Sequence, residues 1–422
     1  MLTAMPLAPF ISAVIVVVAG VRVWLSIRQS RWLSSHATSV PAPFDASISL
    51  ADHRRAIAYH LDKQQLARAH ALLDAIITLA FTVGGGIALF DSAVAGTLAA
   101  PGMVRDLLLL ATLAAILTLT GIPLDLYGTF VVESRHGFNK TTPRLWIVDQ
   151  IKGISLAALL GGPLCAAVLG VMYWAGNNWW LAFWAAWLGI NVLMLWMVPA
   201  WIAPLFNKFE PLADQTLADR VQALLARCGF RAGGLYVMDG SRRSAHGNAY
   251  FTGTGASRRI VFYDTLLATL DADEIEAVLA HELGHFSHRH VRKRLALLAV
   301  ASFLTLWGAA AMLDVPALST AMGIPDRSAG IDLALLAFLL PPVLFFVTPL
   351  GAMLSRRHEY EADAYAARHV SATALERALV KLYRDNAAAL SPDPLHSRFF
   401  DGHPPALARI GHLRGIAGVT AA

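Results

Sequence analysis

The residues best suited to chemistry in this 422-residue chain are two histidines and a glutamate in the segment His281-Glu-Leu-Gly-His285. Residues four apart lie on one side of an α-helix, so both imidazoles can direct a ring nitrogen at the same ion. Glu282 lies beside that site without binding the ion, and its carboxylate can take a proton from an attacking water. The pattern predicts a zinc-protease helix with His281 and His285 as ligands and Glu282 as general base.

The helix that must position these residues is predicted to begin at Asp271. Asp271 and Glu274 stand three residues apart, which is the spacing of a capping box. Apolar residues then recur at helical spacing and indicate one buried face, at Ile275, Val278, Leu279 and Phe286. A five-residue pattern also arises by chance, so the rest of the chain must supply a third ligand and a substrate track.

The candidate third ligand lies in a second charged segment, Arg357-His-Glu359-Tyr-Glu-Ala-Asp363. If Glu359 binds the metal, Asp363 lies one helical turn on and can accept a hydrogen bond from the far nitrogen of a ligating histidine. Glu361 points elsewhere on the helix. The alternative is a solvated face held by salt bridges, but a position beside a histidine pair favours the ligand interpretation.

A third segment, around His403, offers groups that can act on the substrate. Two prolines follow His403 and suit the first turn of a helix, so the histidine is predicted at a helix entry. There His403 can donate to the oxyanion that develops on the scissile carbonyl. Arg409 can brace a ligand carboxylate or the peptide. Structural capping of the helix is the alternative for this segment.

The polar block that precedes the histidine pair predicts a small sheet. Residues 217–228 have the pattern of an amphipathic helix, and residues 234–238 have the pattern of a short strand. Residues 247–251 and 259–263 predict a hairpin around Gly253 and Gly255. A strand beside such a helix can hold extended peptide by backbone pairing. The candidates to line a substrate cleft are therefore Asn248, Ala249 and Tyr250, although an ordinary packing hairpin fits the local pattern equally well.

Composition predicts a membrane protein, because 56% of the residues are hydrophobic and only 15% are charged. In soluble domains about a quarter of the residues are usually charged. Seven apolar runs of roughly 20 residues can each cross a bilayer, at 7–27, 71–90, 107–132, 154–175, 179–204, 295–317 and 331–354. The first run lacks a positive N-terminal side, which favours an uncleaved anchor over a signal peptide. The predicted fold class is mainly α, a polytopic protein of about seven transmembrane helices.

These runs divide the chain into four parts. They are an N-terminal transmembrane region (1–206), a protease segment with the substrate strand and zinc helix (207–294), a transmembrane hairpin (295–354) and a C-terminal segment with the third ligand (355–422). Within the runs, Asp74, Asp125 and Asn191 are costly in lipid and are expected to face the bundle interior or water. They can equally be residues at helix ends.

Loop charges predict the orientation. Basic residues follow run one and separate runs three and four, at Arg28, Arg31, Arg54, Arg55, Lys63, Arg68, Arg135, Lys140, Arg144 and Lys152, whereas the alternate loops hold little beyond Arg105 and Arg327. The basic side is cytoplasmic under the positive-inside rule. The N-terminus is then outside, and the histidine pair and the C-terminal segment share the cytoplasmic side. The net charge of +5 follows from this bias and predicts no nucleic-acid partner.

In combination the motifs resemble those of the CAAX prenyl protease type 1 family. The resemblance covers most of the chain and rests on His281-Glu-Leu-Gly-His285, Arg357-His-Glu359-Tyr-Glu-Ala-Asp363, Ser244-Ala-His-Gly-Asn248-Ala-Tyr-Phe, His136-Gly-Phe-Asn-Lys140, Pro204-Leu-Phe-Asn-Lys-Phe209 and His403-Pro-Pro. It implies a seven-span zinc endopeptidase of the gluzincin kind, whose helices enclose a large intramembrane chamber and whose zinc site opens into it at the cytoplasmic end.

Carried over position by position, the resemblance implies a complete site. The zinc ligands would be His281, His285 and Glu359, with one ion per chain and Glu282 as base. Asp363 would contact a ligand, His403 and Arg409 would lie near the reacting carbonyl, and Asn248 and Ala249 match the family's peptide-binding strand. The additional imidazoles of His288 and His290 are expected at the membrane interface, because they lie three and five residues beyond His285.

The resemblance also suggests substrates and a location. Eukaryotic members cleave after a prenylated cysteine near a protein's C-terminus and at a second, upstream site, while turnover of membrane proteins is the alternative for bacterial relatives. Ala-, Arg- and Trp-rich composition, short loops and the lack of a di-lysine ending favour a bacterial inner membrane. The expected partners are a peptide or protein substrate, prenylated or membrane-associated, and the lipid bilayer.

Two other classes of function remain open from the sequence. One is a channel or transporter with a non-catalytic zinc site, which would be expected to show broken-helix repeats and paired intramembrane charges. The other is a membrane scaffold or chaperone that binds peptides without cutting them. The sequence shows no clear broken-helix repeats and no clear pairs of intramembrane charges, so it favours the endopeptidase.

Overall fold

The computed structural model describes residues 7–97, 102–252 and 259–420. The N-terminal half is helical, with α1 at Leu7–Ser35, α2 at Leu50–Phe81, α3 at Gly86–Thr97, α4 at Met103–Tyr127, α5 at Pro143–Leu156, α6 at Gly162–Ala175, α7 at Trp179–Met197 and α8 at Ala203–Phe206. Short π-helical segments extend α4 and join α5 to α6 and α7 to α8, at Gly128–Glu133, Ala157–Gly161 and Val198–Ile202.

The C-terminal half combines a small sheet with further helices. Its strands are β1 at Phe209–Pro211, β2 at Gly234–Met238, β3 at Ala249–Thr252 and β4 at Arg259–Tyr263. Its helices are α9 at Gln215–Arg227, α10 at Asp264–Thr269, α11 at Ala272–Ser287, α12 at His290–Leu313, α13 at Pro316–Ala321, α14 at Ala329–Leu344, α15 at Thr348–His369, α16 at Ala372–Asp385, α17 at Pro394–Phe400 and α18 at Ala406–Thr420.

The membrane part confirms a mainly helical, polytopic fold. In the described ranges six helical segments are long and apolar enough to cross a bilayer, namely Leu7–Ser35, Met103–Glu133, Pro143–Ala175, Trp179–Phe206, His290–Leu313 and Ala329–His369. The bent pair of α2 and α3 brings the number to seven if it forms one span. The second predicted run, 71–90, was wrong as a single helix, because the pair bends by 56° at the break. Gly85 lies in this break with a φ of +73°, a conformation that favours glycine.

The sheet precedes the helix with the histidine pair, as predicted. Its strand order is β1-β2-β4-β3, with β2 and β4 parallel and the outer pairs antiparallel. The predicted strand at 234–238 is confirmed as β2, and the amphipathic helix at 217–228 as α9. The predicted hairpin strands pair as β3 and β4, while the turn predicted at Gly253 and Gly255 lies outside the described residues. Because β3 is last in the order, one row of its backbone groups faces away from the sheet.

The packing of α11 against α15 positions the site. The predicted capping box is present: Asp271 accepts from the Glu274 backbone N–H, and the Glu274 carboxylate accepts from that of Asp271. A Cβ at Gly284 would lie 2.9 Å from the Ala362 Cα and 3.0 Å from the Tyr365 Cβ, closer than backbone and side chain can tolerate. Only glycine therefore lets the two helices approach this closely.

The polar residues of the membrane runs have different surroundings. Arg22 and Asp74 form an ion pair of 2.9 Å between α1 and α2 and line a cavity of about 530 Å³, as expected for an interior position. Asn191 donates to the Trp187 carbonyl one turn earlier on its own helix, at 2.8 Å. Asp125 is exposed. Asp74 thus lines a cavity between the helices while its side chain stays 55% exposed, whereas Asn191 is satisfied within its own helix.

The cavities between the membrane helices adjoin each other. A second cavity of about 570 Å³ lies between α7, α12 and α14, with mainly apolar walls that include Phe183, Trp187, Leu306, Leu336 and Leu340. Ala337, Pro341 and Leu344 line both cavities, so α14 forms the wall between them. Internal space of this kind agrees with the chamber that the sequence resemblance implied.

The two basic regions that were predicted as loops contact the segments that carry the proposed site. The first is largely helical, because α1 continues to Ser35 and α2 begins at Leu50; from α1, the Arg28 guanidinium donates to Asp393 at 2.9 Å. In the second, the Lys140 backbone N–H donates to the Arg243 carbonyl at 3.1 Å. Both basic regions therefore lie at the same end of the helical bundle as the sheet and the C-terminal helices.

Candidate metal centre

Three donor atoms converge where α11 faces α15. The Nε2 atoms of His281 and His285 lie 3.2 Å apart. Glu359 reaches between them from α15, with one oxygen 3.4 Å from His281 Nε2 and the other 3.5 Å from His285 Nε2. The ligand atoms of the three residues all lie within 4.8 Å of one another. The structure thus brings together the three residues that the sequence proposed as ligands.

The electrostatics of this pocket suit a cation. Burial and the Arg409 charge oppose protonation of His281, but the neighbouring carboxylates of Asp363 and Glu359 outweigh them and raise its pKa to about 9. The pocket therefore favours positive charge. Burial and the His281 charge lower the pKa of His285 to about 3, so this imidazole is neutral at physiological pH, as metal ligation requires.

The Oε2 atom of Glu359 is buried, and no contact to it among the described residues has the geometry of a hydrogen bond. Its neighbours are nitrogens of His403 at 2.8 Å, His281 at 3.4 Å and Arg409 at 3.5 Å. A buried carboxylate oxygen without a well-aligned hydrogen bond is costly. A metal ion coordinated by Glu359 would satisfy it, so the donor set fits a bound metal.

Asp363 contacts the first histidine from behind. Its Oδ1 lies 2.8 Å from His281 Nδ1, on the side of the ring opposite the pocket. Arg409 donates to both oxygens of Asp363 at 2.7 Å and is itself buried, and its Nη1 lies 3.5 Å from Glu359. Of the two roles predicted for Arg409, the geometry favours bracing carboxylates over contact with the peptide.

Glu282 and His403 lie beside the three donor residues. The Glu282 side chain is half-buried, and burial raises the pKa of its carboxyl group despite the nearby His281 charge. A raised pKa makes a carboxylate a stronger base. His403 is largely exposed and directs Nδ1 at Glu359. Its two prolines were predicted inside a first helical turn, but α18 begins one residue after them, at Ala406.

The residues of the candidate substrate strand differ in how far their side chains are exposed. The Asn248 side chain is exposed, and its Oδ1 accepts from the Ala249 backbone N–H at 2.8 Å. The Ala249 side chain is buried in the core, so only its backbone is available to a peptide. Tyr250 is half-buried, and Phe251 packs against Phe286 of α11 with ring centroids 5.3 Å apart. The edge strand thus runs beside the helix with the histidine pair.

His290 has a contact that the sequence did not predict. It begins a candidate membrane span, is buried, and its Nδ1 lies 2.9 Å from His285 Nδ1. Arg289, in a left-handed conformation with φ of 57°, forms the turn that returns the chain beneath His285. No glycine or proline marks this turn, so the sequence carried no local signal of it. Glu361 faces away from the ligand pocket, as predicted, and contacts His290 instead.

The fold and this centre define an integral-membrane metallopeptidase. Comparison with known proteins agrees with that class. Residues 29–208 match the family model described as CAAX prenyl protease N-terminal, five membrane helices, and residues 211–417 match the model of peptidase family M48. The chain belongs to peptidase family M48, and the family resemblance found in the sequence is confirmed.

Individual relatives match over nearly the whole chain. A CAAX prenyl protease 1 homolog of Arabidopsis thaliana is 33% identical over 96% of this chain and 98% of its own length. CAAX prenyl protease 1 of Saccharomyces cerevisiae is 34% identical over 73% of this chain and 72% of its own. The crystal structure of S. mikatae Ste24p superposes with a TM-score of 0.91 at 30% identity and covers 97% of this chain and 100% of that one.

Proposed function

We propose that this metallopeptidase holds one zinc ion on His281, His285 and Glu359 and processes prenylated proteins at the cytoplasmic face of its membrane. The observation that carries the proposal is the spacing of the three ligands. Tetrahedral zinc with bonds of about 2.0–2.1 Å separates its ligands by roughly 3.3–3.4 Å. The two imidazole nitrogens lie 3.2 Å apart, and each lies 3.4–3.5 Å from a different oxygen of the same Glu359 carboxylate, close to these separations. Two histidines with one carboxylate are also a donor set of catalytic zinc.

Different residues of the chain have different roles in peptide hydrolysis. Bound zinc would supply Lewis-acid chemistry, lowering the pKa of a water and polarising the scissile carbonyl. Glu282 accepts the proton of the attacking water and delivers it to the leaving amine. His403, on the exposed side of Glu359, can donate to the carbonyl oxygen as it becomes negative. The edge of β3 can hold the peptide in extended form through the backbone at Asn248, Ala249 and Tyr250.

Asp363 gives a prediction about zinc affinity. Asp363→Asn removes the charge that accepts from His281 Nδ1, and it replaces one of the two oxygens to which Arg409 donates. Zinc affinity should therefore fall roughly 10 to 100-fold. Activity measured against zinc concentration should return towards the wild-type level at excess zinc. If Asp363 only stabilised its helix, the substitution would lower thermal stability but leave the zinc titration superimposed on that of the wild type.

Two observations support a prenylated substrate. The relatives from Arabidopsis thaliana and Saccharomyces cerevisiae are named as CAAX prenyl protease 1 proteins. The cavity between α7, α12 and α14 has mainly apolar walls and a volume of about 570 Å³, which suits an isoprenoid chain better than a charged peptide. Helix α12 lines it and begins at His290, beside the metal centre, so the cavity and the site share one element. Turnover of membrane proteins is the second candidate and needs no prenyl group.

A matched pair of peptides separates the two candidates. One ends in a prenylated cysteine followed by three residues, and the other is identical without the prenyl group. Cleavage after the cysteine, identified by mass spectrometry, should be at least about tenfold more efficient in kcat/KM for the prenylated peptide, equivalent to about 1.4 kcal/mol. Equal efficiency for both peptides would favour turnover of membrane proteins.

Loop charges support the proposed orientation, with the N-terminus outside and the C-terminus cytoplasmic. Both basic regions lie at the end of the bundle that carries the metal centre, and basic loops remain in the cytoplasm. Single cysteines introduced into an otherwise cysteine-free chain test this. A cysteine at exposed Ser39 should react with an impermeant maleimide only after the cells are opened, and one at Asp326 should react in intact cells. The reverse labelling pattern would show that the topology is the opposite of the one proposed.

The composition of the chain supports a bacterial inner membrane as its location.

A further inference from the structure

The second histidine of the motif has a partner on the side away from the metal pocket. Its Nε2 faces the pocket, 3.2 Å from His281 Nε2 and 3.5 Å from Glu359. Its Nδ1 lies 2.9 Å from Nδ1 of His290, and His290 Nε2 lies 2.9 Å from an oxygen of Glu361. The four groups form a continuous path from the pocket to a carboxylate on α15.

Only one placement of protons satisfies every contact when His285 is a ligand. A ligating imidazole presents its lone pair to the metal and therefore carries its proton on the other nitrogen. His285 Nδ1–H must then donate to His290, so His290 Nδ1 is the acceptor. The proton of a neutral His290 is consequently on Nε2 and donates to Glu361, which as a carboxylate only accepts. The carboxylate thus sets both tautomers.

The structure holds His290 and Glu361 firmly in these places. The His290 side chain is 2% exposed, and its ring stacks on that of His358 with centroids 4.0 Å apart and planes 13° apart. Arg357 donates to the other oxygen of Glu361 at 3.2 Å, and Lys293 lies 3.6 Å from the first. These two cations favour an ionised Glu361. The left-handed Arg289 is an unfavourable conformation for a residue with a side chain, which the surrounding packing must maintain.

We propose that His290 and Glu361 are positioning residues that orient His285 for metal binding. The two ligand histidines would then each be supported by a carboxylate, His281 by direct contact with Asp363 and His285 through the imidazole of His290. Such contacts fix the ring and increase the basicity of its ligating nitrogen. This inference rests on the metal centre proposed above and adds two residues to its support.

Zinc affinity of the full-length, metal-stripped protein in detergent tests the inference. Competition with a chromophoric chelator gives the Kd and the number of ions bound. His290→Phe keeps a flat ring but removes both hydrogen bonds, so affinity should fall roughly 10 to 100-fold, with one ion still bound at excess zinc. Glu361→Gln keeps the shape of a side chain that is 27% exposed and should lower affinity by a smaller factor.

His288→Phe is the matched control, because His288 also stacks on His290, at 5.6 Å, and no hydrogen bond from it to His285 occurs among the described residues. Its zinc affinity should equal that of the wild type. Wild-type affinity in both His290→Phe and Glu361→Gln would overturn the inference but leave the metal centre intact. An equal loss in His288→Phe would also overturn it, since packing alone would then explain the effect. A wild-type protein that binds no zinc would overturn the metal centre itself.

Discussion

Glu282→Gln should bind zinc as the wild type does and lose peptide hydrolysis by roughly 10²–10⁴-fold or more, the range for loss of a general acid or base. The substitution preserves the size of the side chain and leaves His281, His285 and Glu359 in place, but an amide cannot accept the proton. Metal content by mass spectrometry and cleavage of a prenylated peptide, both on purified protein, measure the two quantities separately.

A second glutamate of α11 provides the control. Glu276 is buried and pairs with Arg220 and Arg227, contacts that involve neither the ligands nor Glu282. Glu276→Gln should therefore keep zinc and activity, with at most a modest loss of stability. Wild-type turnover by Glu282→Gln would rule out its role as base. Excess zinc should not restore the Glu282 variant, because its defect is in proton transfer.

Glu359→Ala should lose both bound zinc and activity. It removes one of the three proposed ligands and the only carboxylate among them, and its neighbours cannot move in to replace it. Asp363 is committed to His281 and Arg409 at 2.7–2.8 Å. The expected result is a purified protein with far less than one zinc per chain, both after dialysis against buffer without chelator and at a zinc concentration that saturates the wild type.

Glu361→Ala is the comparison for Glu359→Ala, because two residues along a helix turn the side chain by about 200°. Glu361 contacts His290, Lys293 and Arg357 and none of the ligand atoms. At saturating zinc this variant should hold one ion per chain, even though its affinity is expected to be reduced. Equal metal content in both variants at saturation would show that Glu359 is not a ligand.

Features encoded within one helix or one short segment could be predicted from the sequence. Two histidines four apart must share a face of α11, and Asp271 with Glu274 must be near its first turn. Glu359 and Asp363 follow the same rule on α15, so their placement on one face of that helix was also predictable. The strands β2 and β4 and most membrane spans were predicted for the same reason, since hydrophobic length and periodicity are local properties.

Contacts between distant segments required the tertiary structure. His290 and Glu361 are 71 residues apart, and no spacing rule relates them, so their contact could not be predicted. Arg409 meets Asp363 across 46 residues, which decides between the two roles its charge allowed. The close approach at Gly284 depends on Ala362 and Tyr365 of another helix. Periodicity defines which face of a helix is buried, whereas the partner of each buried polar atom depends on how the helices pack.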